Sequence, residues 1–572
     1  MTCILEWTNI TVQKKRNEYP LYEVSGKMQR GRLTCLVGPS GSGKSVLLQS
    51  LSGRIRLPAV SEIALIEPDG SRRELKSSNA RRRYIGFVSS GDALLPTVTP
   101  REALELAIAL RPGEAATWEN EQARLVSFYL SLLDLEATCD VPYRNLSSLN
   151  QKRFSTIAAE MINERKVLLL DSPLTGLSQL AGYQFIKNLK KLILTQDSVL
   201  SGILCSLLQP TSEVLSLFDD IILMADRGGE VIYQGPVTEM QSFFSKFGHH
   251  CPQHYNASDF ALFVLHSISV EERKKMALFV KEGNNLYRSV PSPSPLPVVK
   301  SLRVGFLRQL KFLTLREIKE VLRNWKSALV ARFLTSIVIS VVIGGVYFHI
   351  GNEVNVNSSN SAIHAYRGCV LVMCCNAMFS NAQTAVLSLP LQRSIFQREY
   401  ALNMYSSRAY LFSKVPMELL LSSIQVLVQV IISYFLCSLN GNFGTYWVIL
   451  VAVAVCAESV ALSISALTNS AMSAIQTFPL AILPQIIFSG LIISIKAMPS
   501  WIAWMQYICF LPYAMKLLCI NEFGCADIAL FTSNDIQCSN IAFNGGMLVF
   551  IASLFRLIAL LALRVTPKLY RS

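Results

Sequence analysis

Charge is scarce in this sequence. Asp, Glu, Lys and Arg make up 16% of its 572 residues, against roughly a quarter in an average soluble domain. Hydrophobic residues make up 51% and mean hydropathy is +0.36, which excludes an ordinary soluble chain. The shortage is sharper in the second half: residues 327–572 hold 12 Lys/Arg and 7 Asp/Glu. Paired metal-ligand spacing is missing among the 14 cysteines, so neither a zinc site nor a disulfide scaffold is inferred from their count. Most are expected to act as small buried apolar residues. The opening MTCILEWTNI lacks the charged start and apolar core of a signal peptide, and the first half is expected in the cytosol. The net charge of +14 is not read as a nucleic-acid footprint. Its basic residues cluster beside apolar runs, as cytoplasmic flanks of membrane helices do.

Those apolar runs begin after Lys326, at 327–350, 368–391, 419–437, 444–467, 471–495 and 542–563. Each has the roughly 20 residues that span a bilayer core. Six spans return the C-terminus to the starting side. Arg393, Arg398, Arg408 and Lys414 lie between the second and third, and Arg564, Lys568 and Arg571 follow the sixth, which agrees with the positive-inside rule. The connection 439–444 carries no Lys or Arg and is placed outside. The aromatic, amphipathic stretch near 497–523 reads as re-entering the outer interface.

The first part carries a different signature. RLTCLVGPSGSGKSVLLQSLSG is a short apolar strand, a glycine-rich loop and the start of an apolar helix. Gly38, Gly43, Lys44 and Ser45 satisfy G-x-x-x-x-G-K-[ST]. The loop of Gly38, Pro39, Ser40, Gly41, Ser42, Gly43, Lys44, Ser45 and Val46 would cradle nucleotide phosphates at a helix N-terminus with its backbone N–H groups, Pro39 having none, with Lys44 neutralising charge and Ser45 on Mg²⁺. VLLLD then supplies a second buried strand whose Asp171 reaches the same Mg²⁺. The expected fold is an α/β P-loop cassette over residues 1–268, a linker at 269–302, an amphipathic connecting helix at 303–326 and an all-α six-span domain over 327–572. The spans exclude a soluble P-loop kinase or GTPase.

A P-loop domain followed by six spans resembles an ABC half-transporter, and the cassette-first order narrows the resemblance to the ABCG, or white-type, subfamily. CPQHYNASDF is close to that family's C-P-x-x-x-N-P-A-D-F pattern. QLKFLTLREIKEVLRN, with Arg316 and Arg323, resembles its connecting helix. FQREYALNMYSSRAYLFSKVPMEL, with Phe396, Arg398, Glu399, Tyr405, Tyr410 and Glu418, resembles its coupling loop and third-span entry. The resemblance covers nearly the whole chain. It implies binding of ATP and Mg²⁺, a second half-transporter as partner, membrane lipid around the spans, and a hydrophobic small molecule as cargo.

The departures from the family pattern fall on chemical groups. The general-base glutamate after Asp171 is Ser172. The family's F-V-x-Q glutamine is Ser90, its I-H-Q-P histidine is Leu208, and its S-G-L-D aspartate is Ser178. The signature L-S-G-G-[QE] reads Leu146, Ser147, Ser148, Leu149, Asn150. Both glycines are gone, and a Cβ there obstructs backbone approach to the γ-phosphate. Serine is no carboxylate base, and losing a general base typically removes roughly 10²–10⁴ in rate. Five departures with an intact P-loop indicate a chain that binds ATP without turning it over. The resemblance implies a heterodimer in preference to a homodimer, because a homodimer would hold no competent site. The alternative is a regulatory or scaffolding protein that binds ATP and does not transport; a decaying gene product is a third reading.

Within the spans, Glu458 is an expensive buried carboxylate, either a functional group on a substrate path or a protonated or hydrogen-bonded packing residue. Asn376, Asn381 and Gln383 either line a substrate path or serve as interhelical glue. Pro479 and Pro484 are expected to kink the fifth span. Arg556 must pair or face a dimer interior. Asn357 lies in an outer-side sequon open to a glycan, whereas Asn145 and Asn256 are cytosolic. Cys525 and Cys538 share the last outer loop, where a disulfide is plausible.

Overall fold

A computed structural model describes residues 3–13, 20–89, 94–110, 118–146, 149–162, 165–195, 200–225, 228–252, 256–285, 304–326, 330–352, 360–491, 499–524 and 540–569. The chain divides into two compact units. One is Met1–Val304 with Arg398–Met404; the other is Gly305–Gln397 with Tyr405–Tyr570.

The first unit holds two sheets. A four-stranded antiparallel sheet comprises β1 (Cys3–Val12), β2 (Leu21–Gln29), β4 (Glu62–Ile66) and β5 (Arg72–Glu74), in the order β2-β1-β4-β5. The six-stranded sheet has the order β10-β9-β3-β8-β7-β6, with β3 (Leu33–Val37), β6 (Ile85–Val88), β7 (Val167–Leu170), β8 (Gly202–Leu207), β9 (Asp220–Met224) and β10 (Val231–Pro236). Strands β9, β3, β8, β7 and β6 are parallel and β10 is an antiparallel edge. Every residue of LTCLV, VLLL and GILCSL is buried. That is why these strands read as unbroken apolar runs: a parallel sheet is covered on both faces. Leu36, Val167, Leu169, Leu204 and Ile222 pack into one core with Leu47, Leu48 and Leu51 of helix α1 (Lys44–Leu51) and with Ile4, Leu5 and Trp7 of β1. The loops after β3, β7 and β8 therefore open on one edge of the sheet, the edge where open α/β sheets bind ligands.

Also in this unit are α2 (Leu149–Met161), α3 (Gln179–Leu194) and α4 (Ala257–Ser267). Ser178 caps α3, its hydroxyl accepting from the Ala181 amide at 3.3 Å. Asn256 caps α4, accepting from the Ser258 amide.

The second unit is helical. It begins with α5 (Phe306–Arg323), whose Gln309, Leu313, Arg316 and Glu317 are buried while Leu307, Leu315 and Leu322 are exposed. A helix with polar groups turned inward and leucines outward suits a membrane interface. Then come α6 (Val330–Val346), α7 (Asn360–Ala401), α8 (Ser407–Cys437), α9 (Phe443–Leu467), α10 (Ala471–Ile487), α11 (Leu511–Phe523) and α12 (Ile541–Leu569). Among the described residues, α7, α8, α9 and α12 are long and apolar enough to cross a membrane. The first and fifth runs appear as the shorter α6 and α10, which end at Val346 and Ile487, each before a turn. Pro479 and Pro484 both lie inside α10. The stretch near 497–523 is a helix pair, Trp501–Tyr507 and Leu511–Phe523, bent by 63°.

Candidate functional site

The loop between β3 and α1 is shaped by its glycines. A Cβ at Gly38 would stand 2.4 Å from the Met224 carbonyl oxygen, and Gly43 has φ +90° at the N-cap of α1. Only glycine takes the second conformation without strain. The first amides of α1 are thereby aimed out of the loop, as an anion cradle requires. Lys44, 7% exposed, donates to the Gly38 and Pro39 carbonyls at 2.7 Å each and to Ser42 Oγ at 3.3 Å. Burial pushes its pKa down and the Asp171 carboxylate works against that shift. Ser40 and Gly41 are exposed, and Val46 packs against the core.

Ser45 and Asp171 stand far apart in the chain and are brought together. Ser45 Oγ donates to Asp171 Oδ1 at 2.9 Å. The same oxygen accepts from Ser206 Oγ at 2.8 Å, and Ser206 Oγ in turn accepts from the Ser172 amide at 2.8 Å. Asp171 is 7% exposed. Ser206 is the lone hydroxyl in the buried strand GILCSL. That polar exception in an apolar run was the signal, and the sequence reading did not use it.

Ser172 has φ +49°, a region in which a non-glycine residue is held at a cost of order 1 kcal/mol. Arg153 of α2, 5% exposed, donates to the carbonyls of Pro173 and Thr175. It ties the helix that follows the signature to the loop that follows Asp171, and sequence reasoning missed it as well. Leu208, just past β8, is 51% exposed. Ser178 spends its hydroxyl on capping α3. Leu146 is buried and Leu149 opens α2 at 37% exposure. Ser90, Ser147 and Ser148 lie outside the described residues, as does the side chain of Asn150.

In the membrane unit the polar candidates converge on a residue not anticipated. Arg332 of α6 donates to Asn381 of α7, to Gln425 and Ser422 of α8 (3.2 Å to Ser422 Oγ), and to Glu458 Oε1 of α9 at 3.4 Å. Ser422 also donates to Glu458 Oε1. Glu458 is 1% exposed, and its Oε2 has no hydrogen-bond partner among the described residues. Arg556 of α12 donates to Ser459 Oγ at 3.0 Å and pairs with Glu418 at 3.8 Å. Asn376 stands apart, donating to Ser340 Oγ of α6 at 3.3 Å and accepting from Ser380. Gln383 is exposed. Asn381 and Glu458 thus share one cluster with Arg332, and Asn376 does not belong to it.

In the segment 396–410, the Phe396 ring lies 4.7 Å from that of Tyr410, and Tyr405 stacks on Tyr410 at 5.8 Å. Glu399 is 5% exposed. The chain passes from one unit to the other between Gln397 and Arg398. Lys414 of α8 donates to both carboxylate oxygens of Glu317 at 3.2 Å and to Gln392 at 2.8 Å, fastening α5 to α8. Asn357, Cys525 and Cys538 lie outside the described residues.

Residues 21–175 match the ABC transporter family, and residues 308–523 and 208–282 match ABC-2 type transporter families. The chain is 28% identical over 557 residues to the ABC transporter G family member 7 of Arabidopsis thaliana, covering 91% of this chain and 74% of that one. It is 26% identical over 547 residues to the broad substrate specificity ATP-binding cassette transporter ABCG2 of Sus scrofa, covering 88% and 80%. It is 26% identical over 546 residues to the ABC transporter ATP-binding protein/permease wht-1 of Caenorhabditis elegans, covering 89% and 78%. The chain is a multi-pass membrane protein of the ABC transporter family, an N-terminal cassette joined to an ABC-2 type membrane domain, with G-type transporters as its relatives.

Proposed function

We propose that this chain is the ATP-binding, hydrolysis-impaired half of a heterodimeric G-type exporter that moves a lipid, sterol, pigment precursor or other hydrophobic small molecule. The observation that carries the reading is the contrast around Asp171. Ser45 Oγ stands at 2.9 Å, as a shared Mg²⁺ site needs, while the next residue is a serine whose amide is tied to Ser206. The cassette spans 1–268, a connecting helix spans 303–326, and six crossings occupy 327–572.

The residues fit Mg-ATP. The Cβ-free approach at Gly38, the left-handed Gly43 and the enclosed ammonium of Lys44 suit phosphates. The hydroxyl of Ser45 and the carboxylate of Asp171 are the hard oxygen ligands that Mg²⁺ takes. Bound ATP supplies the energy that dimer closure uses. Lys44 would offset phosphate charge, and Ser206 fixes the Asp171 carboxylate that would hold the metal. Ser172 cannot take a proton from water near neutral pH, and Leu208 has no group to hold a phosphate or water. Phe396, Arg398 and Glu399 are the coupling residues that the resemblance to the family's loop implies.

The deficit on this chain is offset by a partner. One site joins this P-loop to the partner's signature and holds ATP; the other joins the partner's catalytic set to residues 146–150 and cleaves it. Affinity purification from the native membrane tests this. A second, catalytically intact half-transporter is expected to co-purify. Export by the reconstituted pair should survive Ser172→Ala and be lost when the partner's catalytic glutamate becomes glutamine. Recovery of a homodimer with ordinary ATPase activity would overturn the reading.

A further inference from the structure

Two cysteines meet at one end of the membrane unit. Cys369, near the start of α7, and Cys437, the last residue of α8, are separated by 68 positions, yet the Cys369 thiol donates to Cys437 Sγ at 3.7 Å. Both are free thiols with no exposed surface. Among the described residues they are the one cysteine pair whose sulfurs are hydrogen-bonded.

Their level in the bilayer follows from their neighbours. Arg367, two residues before Cys369, donates to the Gly490 carbonyl at 2.9 Å. Ser438, next to Cys437, bonds His349 Nδ1 at 2.6 Å. The Asn440 and Gly441 amides then donate to Glu522 at 3.0 and 2.8 Å. Arginine, histidine, glutamate and a polar turn gathered at one depth mark a membrane boundary. It is the boundary opposite the basic end of α8, because Arg408 and Lys414 lie near its start at Ser407, as cytoplasmic flanks do, and the helix ends at Cys437.

We propose that Cys369 and Cys437 form a disulfide that fastens the outer ends of α7 and α8. A disulfide bond is about 2.05 Å long, so side-chain rotation must close the remaining gap. The oxidant is a disulfide of the outer compartment, either glutathione disulfide or a disulfide-carrying oxidoreductase. One thiolate attacks a sulfur of that disulfide and expels a thiol. The second cysteine then attacks the mixed disulfide and expels the other thiol. Two protons and two electrons leave the pair and end on the two thiols of the reduced acceptor. Because the folded chain encloses both sulfurs, the bond forms while the helices are still coming together. Once formed it is shielded from reductants, and it stabilises chiefly by constraining the unfolded chain.

The test uses the full-length chain made in eukaryotic cells. The chain is denatured without reductant and its thiols are labelled with N-ethylmaleimide. It is then reduced, labelled with iodoacetamide and mapped by mass spectrometry. Cys369 and Cys437 should both carry the second label, and unreduced digests should contain their peptides joined to each other. Both residues carrying the first label, or either joined to a different cysteine, would overturn the proposal. In parallel, dithiothreitol, which reaches the bond only as the chain unfolds, should lower the Tm of the wild type by several degrees more than that of a Cys369→Ser, Cys437→Ser double variant. An equal response by both proteins also overturns it. Should the double variant fail to fold, the label map of the wild type decides alone.

Discussion

A buried ammonium is costly unless its surroundings keep the charge useful. Lys44 is 7% exposed and bonded to two carbonyls of its own loop. Hydrogen bonds to charged groups contribute about 1.5–3 kcal/mol, so Lys44→Ala should weaken binding of a fluorescent ATP analogue by roughly 10–100-fold. Burial lowers the Lys44 pKa, and the protonated form is the one that holds phosphate. Binding by the wild type should therefore fall as pH rises through that lowered pKa, at a lower pH than an ordinary lysine would give. The Lys44→Ala variant should lack this alkaline decline; a titration of affinity against pH checks both points. Ser172→Glu should leave steady-state ATPase activity close to background. Catalytic groups that act as a unit are strongly non-additive, and Leu208 and Leu149 remain.

At the level of elements, four helices are pinned by one side chain. Arg332 of α6 bonds residues on α7, α8 and α9. Breaking a buried ion pair by removing one partner typically costs about 3–5 kcal/mol. Arg332→Ala should accordingly lower the Tm of the detergent-solubilised protein markedly. The pair variant Arg332→Leu, Glu458→Leu should recover much of the loss, because no unpaired charge is then buried. A smaller Tm drop for Arg332→Ala than for an exposed change such as Leu480→Ala would show that the cluster holds nothing together. The sequence reading found Glu458, Asn381 and Arg556 because charged and polar residues stand out in apolar runs. It overlooked Arg332 because that residue lies only a few positions inside the first run, where it reads as an ordinary cytosolic flank.

For the whole molecule, the question is which of two unlike nucleotide sites turns over. The partner's site needs close approach from residues 146–150, and Leu149 opens α2 with its side chain 37% exposed. Ser148→Gly with Leu149→Gly should therefore raise ATP turnover and export by the reconstituted pair, because backbone amides at a helix start could then reach the phosphate. No gain from the glycine repair, combined with loss of export in Ser172→Ala, would mean that this chain's own site is the working one.

The sequence by itself determined the features that local patterning encodes. The strand, glycine loop and helix around residues 33–51 are legible because a run of only about five apolar residues that stops at a glycine loop is too short for a helix and reads as a buried strand, and the glycines that follow permit left-handed backbone. The long helices α7, α8, α9 and α12 are legible because length and hydropathy are additive along the chain. Tertiary structure alone decided which polar groups meet. Ser206 reaches Asp171 because β7 and β8 are adjacent in register, Leu170 beside Cys205. Arg153 reaches the 173–175 carbonyls across a fold between α2 and the loop after β7. The Cys369–Cys437 contact joins residues 68 positions apart. Hydrophobicity is a property of one segment, and its period shows which element forms. A hydrogen bond is a property of two segments, and its partner is fixed only when packing sets their distance.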